Sequence, residues 1–311
     1  MDIISGMENL SGRGVSVALG NFDGLHIGHA AVLRSAVVHA DDAEPAVLMF
    51  RSHPQCLLSG KMPPRLLTDS LRTQQLHRLG IRRELYMDFS QVHTMSPERF
   101  FRKVLCGVLN VQSISCGYNY HFGAAGAGDI TVLRALCEQC GVALHVAPCA
   151  DYRGESISSS RIRRAVAEGE MEDVYQMLGR PFSYDFQVVS GDRRGRVLGF
   201  PTINQFFPPD YAVPKFGAYA ARAWVHGRYY PAIANIGVRP TIGTDSMRSE
   251  TCILGFSGDL YGKHIEVGLL SYLRPEQKFS GLESLTAQMT RDAERARLVY
   301  EEQFGPGSAA R

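Results

Sequence analysis

Apolar positions follow two different regimes along the chain. In the first, short apolar runs alternate with stretches whose apolar residues recur every three or four positions. The runs Val15 to Leu19, Ala46 to Phe50, Glu84 to Phe89, Ser113 to Gly117 and Ala143 to Ala147 read as strands. The stretches near residues 27 to 39, 69 to 79, 97 to 109 and 130 to 140 read as helices. Alternation of this kind builds right-handed βαβ units, and therefore a parallel, Rossmann-like sheet covered on both faces. A sheet so built takes its ligand at the carboxyl ends of its strands.

Past Gly179-Arg180-Pro181 the helical stretches stop. Short strand patterns follow at Phe186 to Val189, Ala218 to Val225, Tyr229 to Ile233, Thr251 to Phe256 and His264 to Tyr272, separated by turns such as His226-Gly227 and Ser257-Gly258-Asp259. Closely spaced strands without intervening helices predict a small antiparallel barrel. Leu282, Leu285, Met289, Ala293 and Ala296 then mark one apolar stripe of a terminal helix, read as core packing, and Gly305-Pro306-Gly307-Ser308 begins a tail expected to fray. The sequence thus predicts two domains, residues 1–182 and 183–311, with no internal repeat.

Composition narrows the class. With 311 residues, 45% hydrophobic and 21% charged, the chain suits two packed cores. A net charge of +2 gives no broad basic field, which disfavours nucleic acid and membrane as partners. Met1 to Gly12 lacks the basic start and apolar run of a secretory leader, so the expected location is the cytoplasm. Seven cysteines, an odd and scattered set, read as reduced thiols, and Cys137-x-x-Cys140 inside a helical stretch reads as packing.

The most specific chemistry lies where the first strand meets the first helix, in Gly20-Asn21-Phe22-Asp23-Gly24-Leu25-His26-Ile27-Gly28-His29. A glycine-rich turn lets backbone approach phosphate, and the first N–H groups of a helix favour anionic oxygen. His26 and His29, three residues apart across Gly28, can face one ligand there. A nucleoside triphosphate fits, because nucleotidyl transfer needs positioned reactants and stabilised phosphate charge rather than a covalent enzyme intermediate. A single histidine would more often be a bland surface or core residue; the whole decapeptide in this context is far more specific. It lacks the G-x-G-x-x-G of dinucleotide folds and the G-K-[ST] of a P-loop.

A second centre occupies the carboxyl half. The stretch from Gly191 through Arg193, Arg194, Gly195 and Arg196 to Pro201-Thr202-Ile203-Asn204 reads as a phosphate-covering loop feeding a strand. In extended backbone Thr202 and Asn204 point to one face, and both offer oxygen ligands suited to Mg²⁺. Phosphoryl transfer from ATP then needs a group that orients or deprotonates the accepting hydroxyl, and Glu250, opening a strand pattern, is the candidate base.

These residues, in this order, resemble the bacterial bifunctional riboflavin kinase and FAD synthetase family. The resemblance runs from Leu19-Gly20-Asn21-Phe22-Asp23-Gly24 through Ile157-Ser158-Ser159-Ser160-Arg161-Ile162-Arg163 and Gly199-Phe200-Pro201-Thr202. It continues through Asn235-Ile236-Gly237-Val238-Arg239-Pro240-Thr241 and Asp259-Leu260-Tyr261-Gly262 to Leu273-Arg274-Pro275-Glu276-Gln277-Lys278-Phe279. It implies an amino-terminal adenylyltransferase module of the nucleotidyltransferase superfamily and a carboxyl-terminal kinase module with a six-stranded barrel. The kinase would make FMN from riboflavin and ATP; the adenylyltransferase would make FAD and pyrophosphate from FMN and a second ATP.

Carried over to matching positions, the resemblance implies that His26 and His29 stabilise the triphosphate, with Gly20, Asn21, Phe22, Gly28 and Asn119 shaping the nucleotide site. Ser159 and Arg163 would hold phosphates, an arginine offering a bidentate geometry that lysine lacks. In the kinase module Gly195, Thr202 and Asn204 would hold ATP and Mg²⁺, Glu250 would activate the ribityl hydroxyl, and Arg274 would fall in a flavin-side loop. The sequence is compatible with a monomer and with a homo-oligomer.

Some positions depart from the family pattern. Arg51-Ser52-His53-Pro54 stands where Asp-Pro-His-Pro is usual, and Ala124-Ala125-Gly126-Ala127 lacks the basic residues often found there. Ile203 replaces a common alanine, and Cys252 and Gly255 replace a histidine and an aspartate that often follow the kinase glutamate. Two alternatives follow: a riboflavin kinase with a weakened adenylyl site, or a flavin-binding regulator without turnover.

Overall fold

The structure is a computed structural model that describes residues 4–6, 14–51, 54–60, 62–191, 199–241 and 244–305. Packing divides the chain into two units, Met1–Pro63 with Asp69–Ser158, and Pro64–Thr68 with Ser159–Arg311. This division and the sequence boundary at 182/183 differ by two helices over residues 159–178, which pack on each other, the second of them also on strands of the second unit.

In the first unit, β1 (Ile4–Ser5), β2 (Val15–Leu19), β3 (Glu44–Phe50), β4 (Arg83–Met87), β5 (Val111–Gly117) and β6 (Ala143–Ala147) form one sheet in the order β1-β4-β3-β2-β5-β6. All neighbours are parallel except β1, an antiparallel edge. Every residue of β2 is buried, as expected of a central strand with helices over both faces. The sheet grows from β2 first toward β3 and β4, then reverses to β5 and β6. Such a reversal opens a crevice at the carboxyl ends of β2 and β5, where Leu19 pairs with Cys116.

Helices α1 (Ile27–Val38), α2 (Pro54–Ser59), α3 (Asp69–Arg78), α4 (Phe89–Val92), α5 (Pro97–Arg99) and α6 (Ile130–Cys140) connect the strands. The helical stretch expected near 97–109 is α5 continuing as a π-helix, Phe100–Val108, which buries Phe100, Phe101, Val104 and Leu105. Asp129 caps α6 by accepting from Val132 N, and Gly141 ends it in the left-handed region at φ 68°. A small hairpin, β7 (Asp151–Tyr152) and β8 (Glu155–Ser156), closes the unit.

The second unit begins with α7 (Ser159–Glu168) and α8 (Met171–Leu178), which packs on β14. Six antiparallel strands follow: β9 (Phe182–Tyr184), β10 (Thr202–Phe206), β11 (Gly217–Val225), β12 (Arg228–Thr241), β13 (Thr244–Ile253) and β14 (Glu266–Arg274), in the order β10-β13-β12-β11-β14-β9. The segment expected as a strand at 186–189 forms isolated bridges instead, Gln187 to His264 and Val189 to Asn204, which draw the two edges of the sheet together. Helix α9 (Leu282–Phe304) lays Ala293, Ala296 and Val299 against Ile233, Cys252 and Leu270 on the outside of the barrel. Of the stripe read from the sequence, Ala293 and Ala296 pack there, Leu285 and Met289 are half-buried, and Leu282 is exposed.

Strand β13 starts at Thr244, ahead of the expected 251. Two of its inward positions, Ser249 and Thr251, are polar, so an apolar alternation does not reveal them. The buried Tyr184 hydroxyl donates to Ser249 Oγ at 2.6 Å, Ser249 and Thr251 hydroxyls lie 2.9 Å apart, and buried Gln205 donates to the carbonyls of Phe186 and Ile265. Inside a barrel these bonds satisfy the hydroxyls and the Gln205 amide nitrogen, which would otherwise be costly to bury.

Candidate active sites

Strand β2 delivers the chain into a turn that only a tightly packed surround can hold. Phe22 and Leu25 take left-handed backbone, φ 49° and 45°, although both carry bulky side chains that are almost fully buried. Backbone of that kind is rare for such residues and tends to persist at functional sites, where packing over-determines it. The turn ends at His26, the N-cap of α1, whose Nδ1 accepts from His29 N at 3.3 Å. An Nδ1 that accepts an amide proton places the ring's own proton on Nε2, which is thus a donor.

One turn on, His29 stacks on His26, ring centroids 3.7 Å apart and 17° from parallel, and Phe22 meets His29 edge-on at 5.4 Å. The structure therefore brings the two histidines together at the positive end of α1, whose first turn carries no acidic residue. Gly28 has a specific reason: a Cβ there would lie 3.2 Å from the His26 ring and 3.4 Å from the Ala150 Cβ. Across the sheet reversal, β5 ends at Gly117 and presents Asn119 as an exposed residue. Gly20 and Asn21 open the turn at the end of β2.

What holds α1 at this angle was not legible from apolar periodicity. Ser16 on β2 donates to the Ala36 carbonyl at 2.7 Å; Ser113 on β5 shares its one hydroxyl proton between Ser16 Oγ at 2.6 Å and the His39 carbonyl at 3.1 Å. Ser115 donates to Ser35 Oγ at 3.0 Å. These bonds, buried against the sheet, fix both the rotation and the axial position of the helix. At its far end His39 stacks on His145 of β6, 3.6 Å apart and 9° from parallel.

Ser159 and Arg163 stand in the first turns of α7, in the second unit, and Arg163 Nε donates to the Pro64 carbonyl at 2.6 Å. Of the departures, Arg51 donates to Ser5 Oγ and acts electrostatically on Asp88, while Ser52 and His53 lie outside the described residues. Ala124–Gly126 is a short 3₁₀ turn with Ala125 left-handed at φ 52°.

In the barrel the site comes from register. Asn204 on β10 pairs directly with Glu250 on β13, and Thr202 with Cys252. Direct partners share a face, and alternate residues do too, so Thr202, Asn204 and Glu250 face the same way. Asn204 is buried, and Gly191 lies against it so closely that a Cβ there would come within 2.4 Å of Nδ2. The position has no room for a side chain. Glu250 forms an ion pair with Arg248, a partner the sequence did not single out. Gly195 lies outside the described residues.

Arg274, expected in the flavin-side loop, ends β14 with its guanidinium on Asp292 of α9. Nη2 donates to Oδ2 at 2.8 Å and Nε at 3.0 Å, while Nη1 donates to the Pro275 carbonyl at 3.2 Å. Asp292 is 5% exposed. Of the Cys137-x-x-Cys140 pair, Cys137 is buried as expected of packing, but Cys140 is exposed.

A parallel sheet with two stacked imidazoles at a helix start, in one chain with a barrel that sets a threonine, an asparagine and a carboxylate on one face of two paired strands, is the layout of a two-module enzyme of phosphate-group transfer. Comparison with known proteins gives the particular family. The FAD synthetase family model matches residues 9–161 and the riboflavin kinase model residues 178–300. The chain is 34% identical to the bifunctional riboflavin kinase/FMN adenylyltransferase of Listeria monocytogenes, covering 91% of this chain and 92% of the relative. It is 32% identical to the Escherichia coli K12 protein of the same name, covering 96% and 98%. A solved Streptococcus pneumoniae chain described as a macrolide-efflux protein superposes with a TM-score of 0.84 at 28% identity, over 94% of this chain and 97% of that one. Among the described residues no helix is long and apolar enough to cross a membrane. The chain belongs to the bifunctional riboflavin kinase/FMN adenylyltransferase family.

Proposed function

We propose that the barrel phosphorylates riboflavin to FMN and that the parallel-sheet module adenylylates FMN to FAD, with 1–182 and 183–311 as the functional division. The two family models match in this order along the chain, and that observation carries the reading.

In the kinase step Glu250 takes the proton of the terminal ribityl hydroxyl as its oxygen attacks the γ-phosphorus of ATP, and ADP leaves. Thr202 and Asn204 would hold Mg²⁺ together with ATP. Their neutral oxygens suit a cation that also takes ligands from phosphate. When bound, Mg²⁺ neutralises charge on the transferring phosphate. Arg248 orients the Glu250 carboxylate. Gly195 is assigned to the loop over the ATP phosphates, and Arg274 anchors the flavin-side loop through its hold on Asp292.

In the adenylyl step an FMN phosphate oxygen attacks the α-phosphorus of a second ATP, and the bond to pyrophosphate breaks. His26 and His29 donate to the phosphate oxygens on which charge accumulates, aided by the amino end of α1. Gly20, Asn21, Phe22, Gly28 and Asn119 shape the nucleotide site, and Ser159 and Arg163 are assigned as phosphate ligands on the strength of their motif. The enzyme acts in the cytoplasm.

Incubating the chain with riboflavin, ATP and Mg²⁺ and separating flavins by chromatography tests both steps. FMN followed by FAD is expected. FMN without FAD, even when FMN is supplied, would leave a riboflavin kinase; flavin retention without ATP consumption would leave a binding protein.

A further inference from the structure

Four cysteines gather in the parallel-sheet unit: Cys106 in the π-helix, Cys116 on β5, and Cys137 and Cys140 in α6. Their surroundings split them into two kinds. Cys116 and Cys137 are buried, and desolvation pushes their thiols up to about 12 and about 11, so they stay protonated as packing groups. Cys140 is exposed and Cys106 half-buried. Cys106 stands one turn beyond Arg102 on the π-helix, so the face that brings Arg102 to Cys140 brings Cys106 beside it, a pairing that the Cys137-x-x-Cys140 spacing does not reveal.

A cation is fixed at the same place. Arg102 Nη1 lies 3.6 Å from Cys140 Sγ. The guanidinium is held there from two sides, Nε donating to Glu98 Oε1 at 3.0 Å and Nη2 to Gln139 Oε1 at 3.1 Å. The guanidinium thus donates to a sulfur that is open to solvent. An exposed cysteine beside a held guanidinium, with a second thiol one turn along the facing helix, has the parts of a redox-sensing pair.

We propose that Cys106 and Cys140 are a peroxide-responsive pair, with Cys140 oxidised first and Cys106 resolving it to a disulfide. The Cys140 sulfur attacks one oxygen of hydrogen peroxide; the O–O bond breaks, sulfur is oxidised to sulfenic acid, and one water leaves. The Cys106 sulfur then attacks the Cys140 sulfur; the S–S bond forms, the S–O bond breaks, and the hydroxyl leaves with the Cys106 proton as a second water. Two thiols have lost two electrons and one peroxide has gained them. A dithiol reductant reverses the bond by exchange. The link would tie together the elements that precede and follow β5, the strand whose carboxyl end carries Gly117 and Asn119 toward the proposed nucleotide site.

The test treats the full chain with limiting hydrogen peroxide, blocks remaining thiols, and maps peptides by mass spectrometry without reduction. A Cys106–Cys140 linked peptide should dominate, and dithiothreitol should remove it. The exposed Cys56 and Cys149 serve as internal comparators and should oxidise several-fold more slowly than Cys140. With Cys106→Ser, oxidation should stop at a Cys140 sulfenic acid that dimedone labels. With Arg102→Gln, oxidation of Cys140 should slow several-fold while that of Cys149 does not change. Absence of the linked peptide from the unmodified protein, or oxidation of Cys56 or Cys149 as fast as Cys140, would overturn the proposal.

Discussion

The two modules assemble their chemistry in opposite ways. In the parallel sheet the two imidazoles lie three residues apart, on a turn and the helix it starts, so one short segment carries most of the information. In the barrel Asn204 and Glu250 are far apart in sequence and meet only because β10 and β13 pair in one register. A one-residue slip of that register would send Glu250 to the opposite face, whereas no slip of the sheet could separate His26 from His29. A local site is vulnerable to what crowds it; a register site is vulnerable to what shifts its strands.

The sharpest break of the comparison removes one chemical group from each side. His29→Ala should lower FAD formation from supplied FMN by about 10²–10³-fold while FMN formation from riboflavin continues, and Glu250→Gln should do the reverse. Chromatography of both products with each purified variant gives the answer. If either substitution depresses both reactions equally, the assignment of separate sites fails.

Next in size is a packing effect confined to the barrel. Asp292→Ala would leave the Arg274 guanidinium, whose side chain is 16% exposed, without its carboxylate. Breaking such a pair should cost about 3 kcal/mol, read as a lower urea midpoint, together with a raised KM for riboflavin. The double variant Arg274→Met, Asp292→Leu should recover most of the stability but not the KM. Recovery of both would show that the loop needs packing there and not the ion pair.

The glycines sharpen the contrast at smaller scale. Gly191→Ala forces a methyl into the Asn204 amide, and Gly28→Ala presses one on the His26 ring. The first should slow FMN formation by about 10-fold or more, since misplacement by a fraction of an ångström is costly at a phosphoryl-transfer site. The second should slow FAD formation less, because 3.2 Å is a tight contact that a small ring shift can relieve. Steady-state rates that rank the other way would mean that the barrel site is the more adaptable of the two.

Legibility in the sequence follows the same division. The parallel sheet showed because its strands are continuous apolar runs, as Val15 to Leu19 is, and the histidine turn showed because it is contiguous. Thr202 and Asn204 could be placed on one face by alternation alone. Arg248 could not be tied to Glu250, nor Arg274 to Asp292, since strand pairing and helix docking set those contacts. The serines under α1 escaped for a different reason: Ser16, Ser113 and Ser115 sit at core positions, where an apolar reading counts them as interruptions rather than as the bonds that orient the helix. Likewise β13 was foreshortened because its inward residues, Ser249 and Thr251, are hydroxyls that pair inside the barrel.

The smallest expected effect concerns the far end of α1 and belongs to the parallel sheet alone. Burial, and then the neighbouring His39 ring, hold the His145 pKa below its ordinary value of 6.5, with Asp41 opposing them. A group whose folded pKa is depressed in this way binds its proton more readily in the unfolded chain. Stability is therefore full above about pH 6.5 and declines as pH falls from there toward the lower folded value, where the loss levels off. The loss should be modest, because His145 is partly solvated, and it should vanish in His145→Phe, which keeps a ring to stack on His39. The measurement is the melting temperature of the wild type and the variant between about pH 5 and 8. If the wild type loses no more stability than the variant on acidification, the stacked pair does not hold the carboxyl end of α1, and the serine bonds alone orient the helix that starts at the histidine pair.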